Sequence, residues 1–438
     1  MKRSERPYVA GDVVVSRSRA AWLTAIVIGL AGLVYGRFAV IEPGRDWDQS
    51  DLAINYSAAK VLSAGGSIYD AAALRAAHTQ FIGEPGVLFQ ALFLTYNNPP
   101  TTALLMWPLG QLPFSGARWG LVLINNAAYL LAMALLLKHL SASRPALMVC
   151  GLLGLLVFYF PIRQSFGLGQ INGVIALLLA TAVIAAGRSR DSWAGASIAL
   201  AAAIKISPAL LLGYFVVQRR RRVWAGALAT LFGLGVATLI AVGPATVWQF
   251  IAEVLPEVGR GSAAYPNQSL LGALYRFFVP PSAMQTAGAM GDYPLPRAVW
   301  LAGSIGLAAI TLRVTSRVRW EGRSEQAVAL SSYITLAMLI GNIAWDHYAL
   351  WLIVPVVALV VDWFQTRWLV GRVFWPTFCA AVLAINLPVP IQANWGATLG
   401  PIGTSLTTWG TLLLWGVMMA RLWRRSRRGC VTADHPAG

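Results

Sequence analysis

Apolar runs of near-bilayer length, punctuated by clusters of arginine, constrain this chain more than any other feature. They fall at 20–40, 100–112, 116–137, 145–162, 170–187, 193–217, 223–243, 297–313, 326–341, 347–363, 371–387 and 403–420. A helix needs roughly 20 apolar residues to cross the hydrocarbon of a bilayer. In lipid the backbone must satisfy its own hydrogen bonds, and a helix does so within one segment. Only 12% of the residues are charged and 57% are hydrophobic, whereas a soluble domain carries about 25% charged residues. That balance excludes a disordered chain and an ordinary soluble enzyme. It predicts an all-α polytopic membrane protein with about 12 transmembrane segments, some of them short or re-entrant.

The formal net charge is +17. In a soluble protein such an excess points to nucleic acid. Here the arginines cluster between apolar runs, at Arg219 to Arg222, at Arg313/Arg317/Arg319/Arg323 and at Arg421/Arg424/Arg425/Arg427/Arg428. That is how cytoplasmic loops look under the positive-inside rule, so membrane lipids are the expected partner and nucleic acid is not. The cysteines Cys150, Cys379 and Cys430 and the histidines His78, His139, His347 and His435 make no metal-ligand spacing. No metal and no cofactor is expected.

Residues 1–19 read as a basic cytoplasmic tail, 20–420 as the membrane domain and 421–438 as a second basic cytoplasmic tail. Two long polar loops interrupt the domain at 41–98 and 244–296. The first opens with acidic residues, which places it outside. Within it, Asp51 to Leu62 reads as an amphipathic helix with Leu52, Ala59 and Leu62 on its apolar side, ended by Gly65 and Gly66. Trp248 to Val258 reads as an interfacial amphipathic stretch. In one topology 100–112 and 193–217 each cross the membrane once, which leaves Lys138, Arg144, Arg188 and Arg190 outside. In the other, 100–112 is re-entrant and 193–217 is a hairpin of two short segments turning at Lys205-Ile206-Ser207-Pro208. The second puts every basic cluster inside and is preferred. It also gathers Asp51, Arg163, Gln170, Asn172, Lys205, Asn267, Gln268, Asp346 and His347 on the outer side.

Asp51 opens its helix directly after the first span. A carboxylate there can serve as a general base or merely cap the helix; spacing alone favours the cap, and Asp46 and Asp48 are rivals for the catalytic role. Lys205 is one of four lysines, with Lys2, Lys60 and Lys138. An ionisable group at membrane depth is costly and marks a functional candidate; a lipid phosphate would suit it, and snorkelling to the interface is the equal alternative. Arg163 is either a second phosphate contact or a loop arginine. Gln170 and Asn172 can bind sugar hydroxyls or cap a helix. In Trp345-Asp346-His347-Tyr348 the aromatics fit an interfacial belt, which accounts poorly for the Asp-His pair. Asn267 and Gln268 are weak signals alone. Tyr96-Asn97-Asn98-Pro99-Pro100 precedes the short 100–112 segment, and its prolines stop helix there.

Taken in order, these motifs resemble glycosyltransferase family 87 of the GT-C superfamily. The resemblance rests on Asp51-Leu-Ala-Ile-Asn-Tyr56 with Ala58/Ala59, Gly65-Gly66-Ser67-Ile68-Tyr69-Asp70, Tyr96 to Pro100, Gly169 to Asn172, Lys205 to Pro208, Asn267 to Leu270 and Trp345-Asp346-His347. It implies a GT-C fold in a bacterial plasma membrane, both termini cytoplasmic and the active site facing outside. It implies an inverting, hexosyltransferase-type reaction from a polyprenyl-phosphate sugar, with mannose the leading candidate and arabinofuranose the alternative, to a lipid or glycan acceptor of the cell envelope. The family's outer-loop aspartate maps onto Asp51 as base, and its histidine onto His347. This chain has Asp346-His347-Tyr348 where some members carry two histidines, which leaves sugar and acceptor open. Lys205 and Arg163 would hold the donor phosphate without a metal; Tyr56, Tyr96, Gln170, Asn172, Asn267, Gln268, Trp345 and Asp346 would line the sugar or acceptor site. A transporter or flippase for a lipid-linked sugar is the alternative class. Such proteins often carry internal repeats, and the two outer loops here differ in length and pattern.

Overall fold

The computed structural model describes residues 17–45, 50–84, 95–154, 159–285, 293–316, 322–366, 371–388 and 399–431. Asp46 and Asp48 lie outside them. Among the described residues there is no strand, and the extended pairing is an isolated antiparallel bridge between Asn267 and Trp345. The molecule is an all-α membrane protein. Five of its described helical stretches are long and apolar enough to cross a membrane by length and composition: Ala25–Arg45, Phe114–Leu140, Arg221–Gly259, Pro294–Ser316 and Asp346–Thr366. Asn172–Gly187, Asp191–Ile204, Ser207–Val217 and Val373–Asn386 are apolar but shorter.

The local starts and stops follow from sequence. Asp70 caps the Ala71–Phe81 helix by accepting from the amides of Ala72 and Ala73, and Ser269 caps Leu270–Tyr275 through the Gly272 amide. Proline starts Pro100–Gly110, where the missing N–H costs nothing. That helix has 11 residues, about 16 Å of rise, too short to cross a membrane alone. The helix of the 223–243 run ends at Gly243, whose φ is +79°. The backbone kinks there, before Pro244, and helix resumes through Gln249 to Gly259.

The middle of the chain folds back on itself. Helix Asp191–Ile204 ends at Lys205, whose backbone is extended. The 3-10 turn Ser207–Leu211 and helix Leu212–Val217 then return. The return is fixed by Arg220, which pairs with the Asp191 carboxylate and donates to the Ala186 carbonyl at 3.0 and 3.1 Å. Both ends of the excursion therefore meet, and Lys205 sits at its far tip. Arg221–Gln249 packs back along Asp191–Ile204 at Gly195 and Gly226. A Cβ on either would collide with the backbone of the facing helix, so glycine is what permits this close approach.

Other contacts gather at the same end as Arg220. Gln326 Nε2 donates to Ala186 O at 3.4 Å and Gln365 Nε2 to Leu140 O at 2.7 Å. Arg421 donates to Asp362 at 2.7 Å and to Glu325 at 3.1 Å, and Arg425 approaches Glu325 at 3.2 Å. The basic stretch that begins at Arg421 is thus the last turns of helix Leu406–Val431, and Arg421 is buried. The centre of the bundle is Arg323–Ile340 with Asp346–Thr366, buried on nearly every face.

Candidate active site

At the opposite end, one short loop touches three distant parts of the chain. It runs from Ser165, near the end of helix Tyr159–Gly167, to Asn172, which opens helix Asn172–Gly187. Gly169 has φ +74°, a left-handed conformation that glycine adopts without steric cost and that lets the chain reverse. The Leu168 carbonyl accepts from the amides of both Asp51 and Leu52 at 3.1 Å, so it caps helix Ser50–Ser63. Gln170 Oε1 accepts from Lys205 Nζ at 2.6 Å. Asn172 Nδ2 donates to Ser165 Oγ at 3.0 Å and to the His347 carbonyl at 3.1 Å.

Lys205 is 7% exposed. Beyond Gln170 its ammonium lies over the Tyr348 ring, 3.9 Å from the centroid, and 6.0 Å from that of Trp351; Tyr348 and Trp351 stack at 4.6 Å. A cation on an aromatic face is stabilised by the ring quadrupole, and more so when desolvated. The Asp51 carboxylate acts electrostatically on Lys205, Asp346 and Tyr348, and Lys205 acts on His347. Asp51, Lys205, Gln170, Asn172, Asp346 and His347 thus form one neighbourhood, drawn from positions almost 300 residues apart.

Asp346 and His347 are 2% and 5% exposed. Asp346 Oδ1 accepts from the His347 amide at 2.7 Å and lies 3.4 Å from His347 Nδ1. Asp346 Oδ2 and His347 Nε2 have no hydrogen-bond partner among the described residues. A buried polar atom left without a partner costs roughly 1–3 kcal/mol, which proteins retain where the atom has other work.

The remaining sequence candidates sit elsewhere. Arg163 is tied to Glu42, Nε to Oε2 at 3.1 Å, and lies over the Phe38 ring at 5.5 Å. Glu42 is shared with Arg37, whose Nη2 lies 3.2 Å from Oε1. Asn267 and Gln268 are fully buried and bind protein rather than facing an opening. Asn267 Nδ2 donates to Ser262 O at 2.7 Å and its Oδ1 accepts from Ala344 N at 2.9 Å. Gln268 Nε2 donates to the carbonyls of Tyr265 and Thr404, and its Oε1 accepts from Thr408 N. With Asp346 N donating to Pro266 O at 2.7 Å, they hold the Trp345–Asp346 segment in place. Tyr56 donates to Leu112 O at 2.7 Å; Tyr96 packs on Tyr69 at 5.6 Å. The motif of Tyr96 reaches the site through Asn98, which donates to Asn55 Oδ1 at 3.3 Å, while Asn55 donates to Asp51 O at 2.7 Å. Thr102 then donates to Ile204 O at 3.0 Å, beside Lys205.

Helix Ser50–Ser63 differs from its expected amphipathic character. Leu52 through Ala59 are buried without interruption, because Pro100–Gly110, Ala71–Phe81 and the Leu168 loop enclose it. Asn125, which no motif marks, and Arg276, downstream of Asn267-Gln268 in sequence, hold the site together. Asn125, buried within Phe114–Leu140, donates to Gln170 O at 2.8 Å and accepts from Gly173 N at 2.9 Å. Arg276, buried within the 244–296 stretch, donates to the carbonyls of Ala264 and Asn267 and to Ser405 Oγ. For Asn125 the available signal was two adjacent asparagines inside an apolar run, Asn125-Asn126, since polar groups at membrane depth are costly. Among the described residues no group of three or more His, Cys, Asp or Glu is arranged to hold a metal ion.

Comparison with known proteins matches residues 96–341 to the sequence profile of glycosyltransferase family 87. The chain is 28% identical, over 63% of its length, to the polyprenol-phosphate-mannose-dependent alpha-(1-2)-phosphatidylinositol mannoside mannosyltransferase of Mycobacterium tuberculosis, and spans 64% of that protein. It is 24% identical, over 68% of each chain, to the like-named protein of Mycolicibacterium smegmatis. It is also 30% identical, over 42% of its length and 43% of the relative's, to an alpha-(1->3)-arabinofuranosyltransferase of Mycobacterium tuberculosis. The chain thus covers less than two thirds of the first of these relatives.

Proposed function

The chain belongs to glycosyltransferase family 87, whose profile covers more than half of it, and from that membership we propose that it is an integral membrane glycosyltransferase. It moves a sugar from a polyprenyl-phosphate carrier to a glycolipid acceptor, with inversion at the anomeric carbon. The observation that carries this reading is the convergence of Asp51, Lys205, Gln170 and Asp346–His347 at the end of the bundle away from the arginines. The positive-inside rule makes the arginine end cytoplasmic and the site outer, within a GT-C arrangement of about 12 segments.

In this reading the acceptor hydroxyl sits against Asp51. The carboxylate takes its proton as the oxygen bonds to the anomeric carbon. The bond from that carbon to the carrier's phosphate oxygen breaks, and the phosphate departs with the electron pair. Lys205 Nζ, held by Gln170 and the Tyr348 face, has donor capacity left for that phosphate, and a preorganised cation in a dry site is worth more than in water. Asp346 Oδ2 and His347 Nε2 serve the sugar or acceptor hydroxyls. Mannose is the proposed sugar because the relatives with the longest matches are named for it. Arabinofuranose is the second reading, favoured by the relative at 30% identity.

The test is a transfer assay with purified protein, a membrane lipid extract and radiolabelled polyprenyl-phosphate mannose or arabinofuranose. Label entering a new glycolipid from one donor supports the reading and names the sugar. Label remaining on both donors, while reconstituted vesicles move the intact carrier across the bilayer, would replace it with a flippase.

A further inference from the structure

The candidate catalytic groups come from helices far apart in sequence, yet all are referred to the single loop 165–172. Leu168 O caps the helix bearing Asp51, Gln170 Oε1 holds Lys205, and Asn172 Nδ2 holds the His347 carbonyl. That loop is anchored from one side by Asn125, which uses both ends of its amide: Nδ2 on Gln170 O and Oδ1 on Gly173 N. The contact is also steric, since a Cβ at Gly173 would run into the Asn125 backbone. The two helices therefore cross in one register at the point where Gln170 must meet Lys205. Its neighbour Asn126 is buried in the same helix and also hydrogen-bonded, but it donates to Ala39 O at 2.9 Å and Val122 O at 2.8 Å, toward the first helix rather than the loop.

We propose that Asn125 is a positioning residue, setting the Gln170–Lys205 pair through the loop's backbone, so that its removal impairs the site without impairing the bundle. The inference rests on the glycosyltransferase reading for its kinetic consequences and on geometry alone for its structural one. Asn125→Leu keeps the volume and removes both hydrogen bonds; Asn126→Leu is the matched control.

Two measurements keep the site's geometry separate from its activity. The first is mass-spectrometric mapping of an amine-acylating reagent over the four lysines, Lys2, Lys60, Lys138 and Lys205. Lys205 should be protected in wild type and in Asn126→Leu, and labelled at least fivefold faster in Asn125→Leu. The second is steady-state transfer, where Asn125→Leu should lower kcat about tenfold or more at a melting temperature matching that of Asn126→Leu, which should retain wild-type kcat. Asn125→Ser, with a hydroxyl that serves one of the two partners, should fall between, and it replaces the leucine variant if that one does not fold. Protection of Lys205 in Asn125→Leu, or equal kcat losses in the two leucine variants, would overturn the proposal. A wild-type protein inactive with every donor would overturn the enzymatic reading, while the labelling contrast would still decide the role of Asn125.

Discussion

At the residue scale Lys205 and its surroundings are the centre of the proposed site. A lone lysine in an apolar stretch is equally readable from sequence as a snorkelling side chain. In the fold it is buried, bonded to Gln170 and seated on Tyr348, which are the surroundings of a held cation rather than one escaping to water. Lys205→Met removes the charge at similar length. The donor concentration for half-saturation should rise about 10- to 150-fold, the equivalent of one charge-assisted hydrogen bond of ~1.5–3 kcal/mol. An unchanged value in a saturation curve would take the phosphate away from Lys205. Arg163 supplies the contrast. It faces Glu42, so Arg163→Gln should change donor saturation far less than Lys205→Met. The Asp-His pair was legible because an aromatic belt left it unexplained. Asn125 was not, because nothing local separates it from Asn126; only their partners, Gln170 and Ala39, do.

At the level of elements, the turn at Lys205–Pro208 follows from keeping Arg188, Arg190 and Arg219 to Arg222 together, and Arg220 is found on Asp191. Arg421 reads as the start of a basic tail because its neighbours in sequence are basic, and in the fold it is buried within helix Leu406–Val431. Its partners Glu325 and Asp362 lie 96 and 59 residues away, beyond the reach of any local pattern. Asp362 is 0% exposed, and removing one partner of a buried pair leaves the other charge uncompensated at about 3–5 kcal/mol. Arg421→Met should therefore lower the melting temperature in detergent sharply. Arg421→Met with Asp362→Leu should recover much of the loss. No recovery would mean that the ion pairs stabilise the bundle in their own right. Helix Ser50–Ser63 was legible as a helix but not as an enclosed one, because Asn55 and Ser57 look solvent-facing until Asn98 and the packing helices are in place.

At the scale of the whole molecule, polar residues separate into two ends: a basic one around Ala186, Asp191, Glu325 and Asp362, and a site end around Leu168, Lys205 and Asp346. The proposed orientation puts them on opposite faces of the membrane. In a background lacking Cys150, Cys379 and Cys430, Asn97→Cys should react with a membrane-impermeant thiol reagent in intact cells. Ser189→Cys should react only after permeabilisation; reaction from the same side would dismantle the topology. The most direct test of the central claim, that Asp51 and Lys205 are base and phosphate holder of one transfer site, compares Asp51→Asn with wild type for both donor binding and transfer. The variant should bind the polyprenyl-phosphate sugar within about threefold of wild type while transfer falls at least about 100-fold, within the range usual for loss of a general base. A variant that still transfers at close to the wild-type rate would contradict that claim.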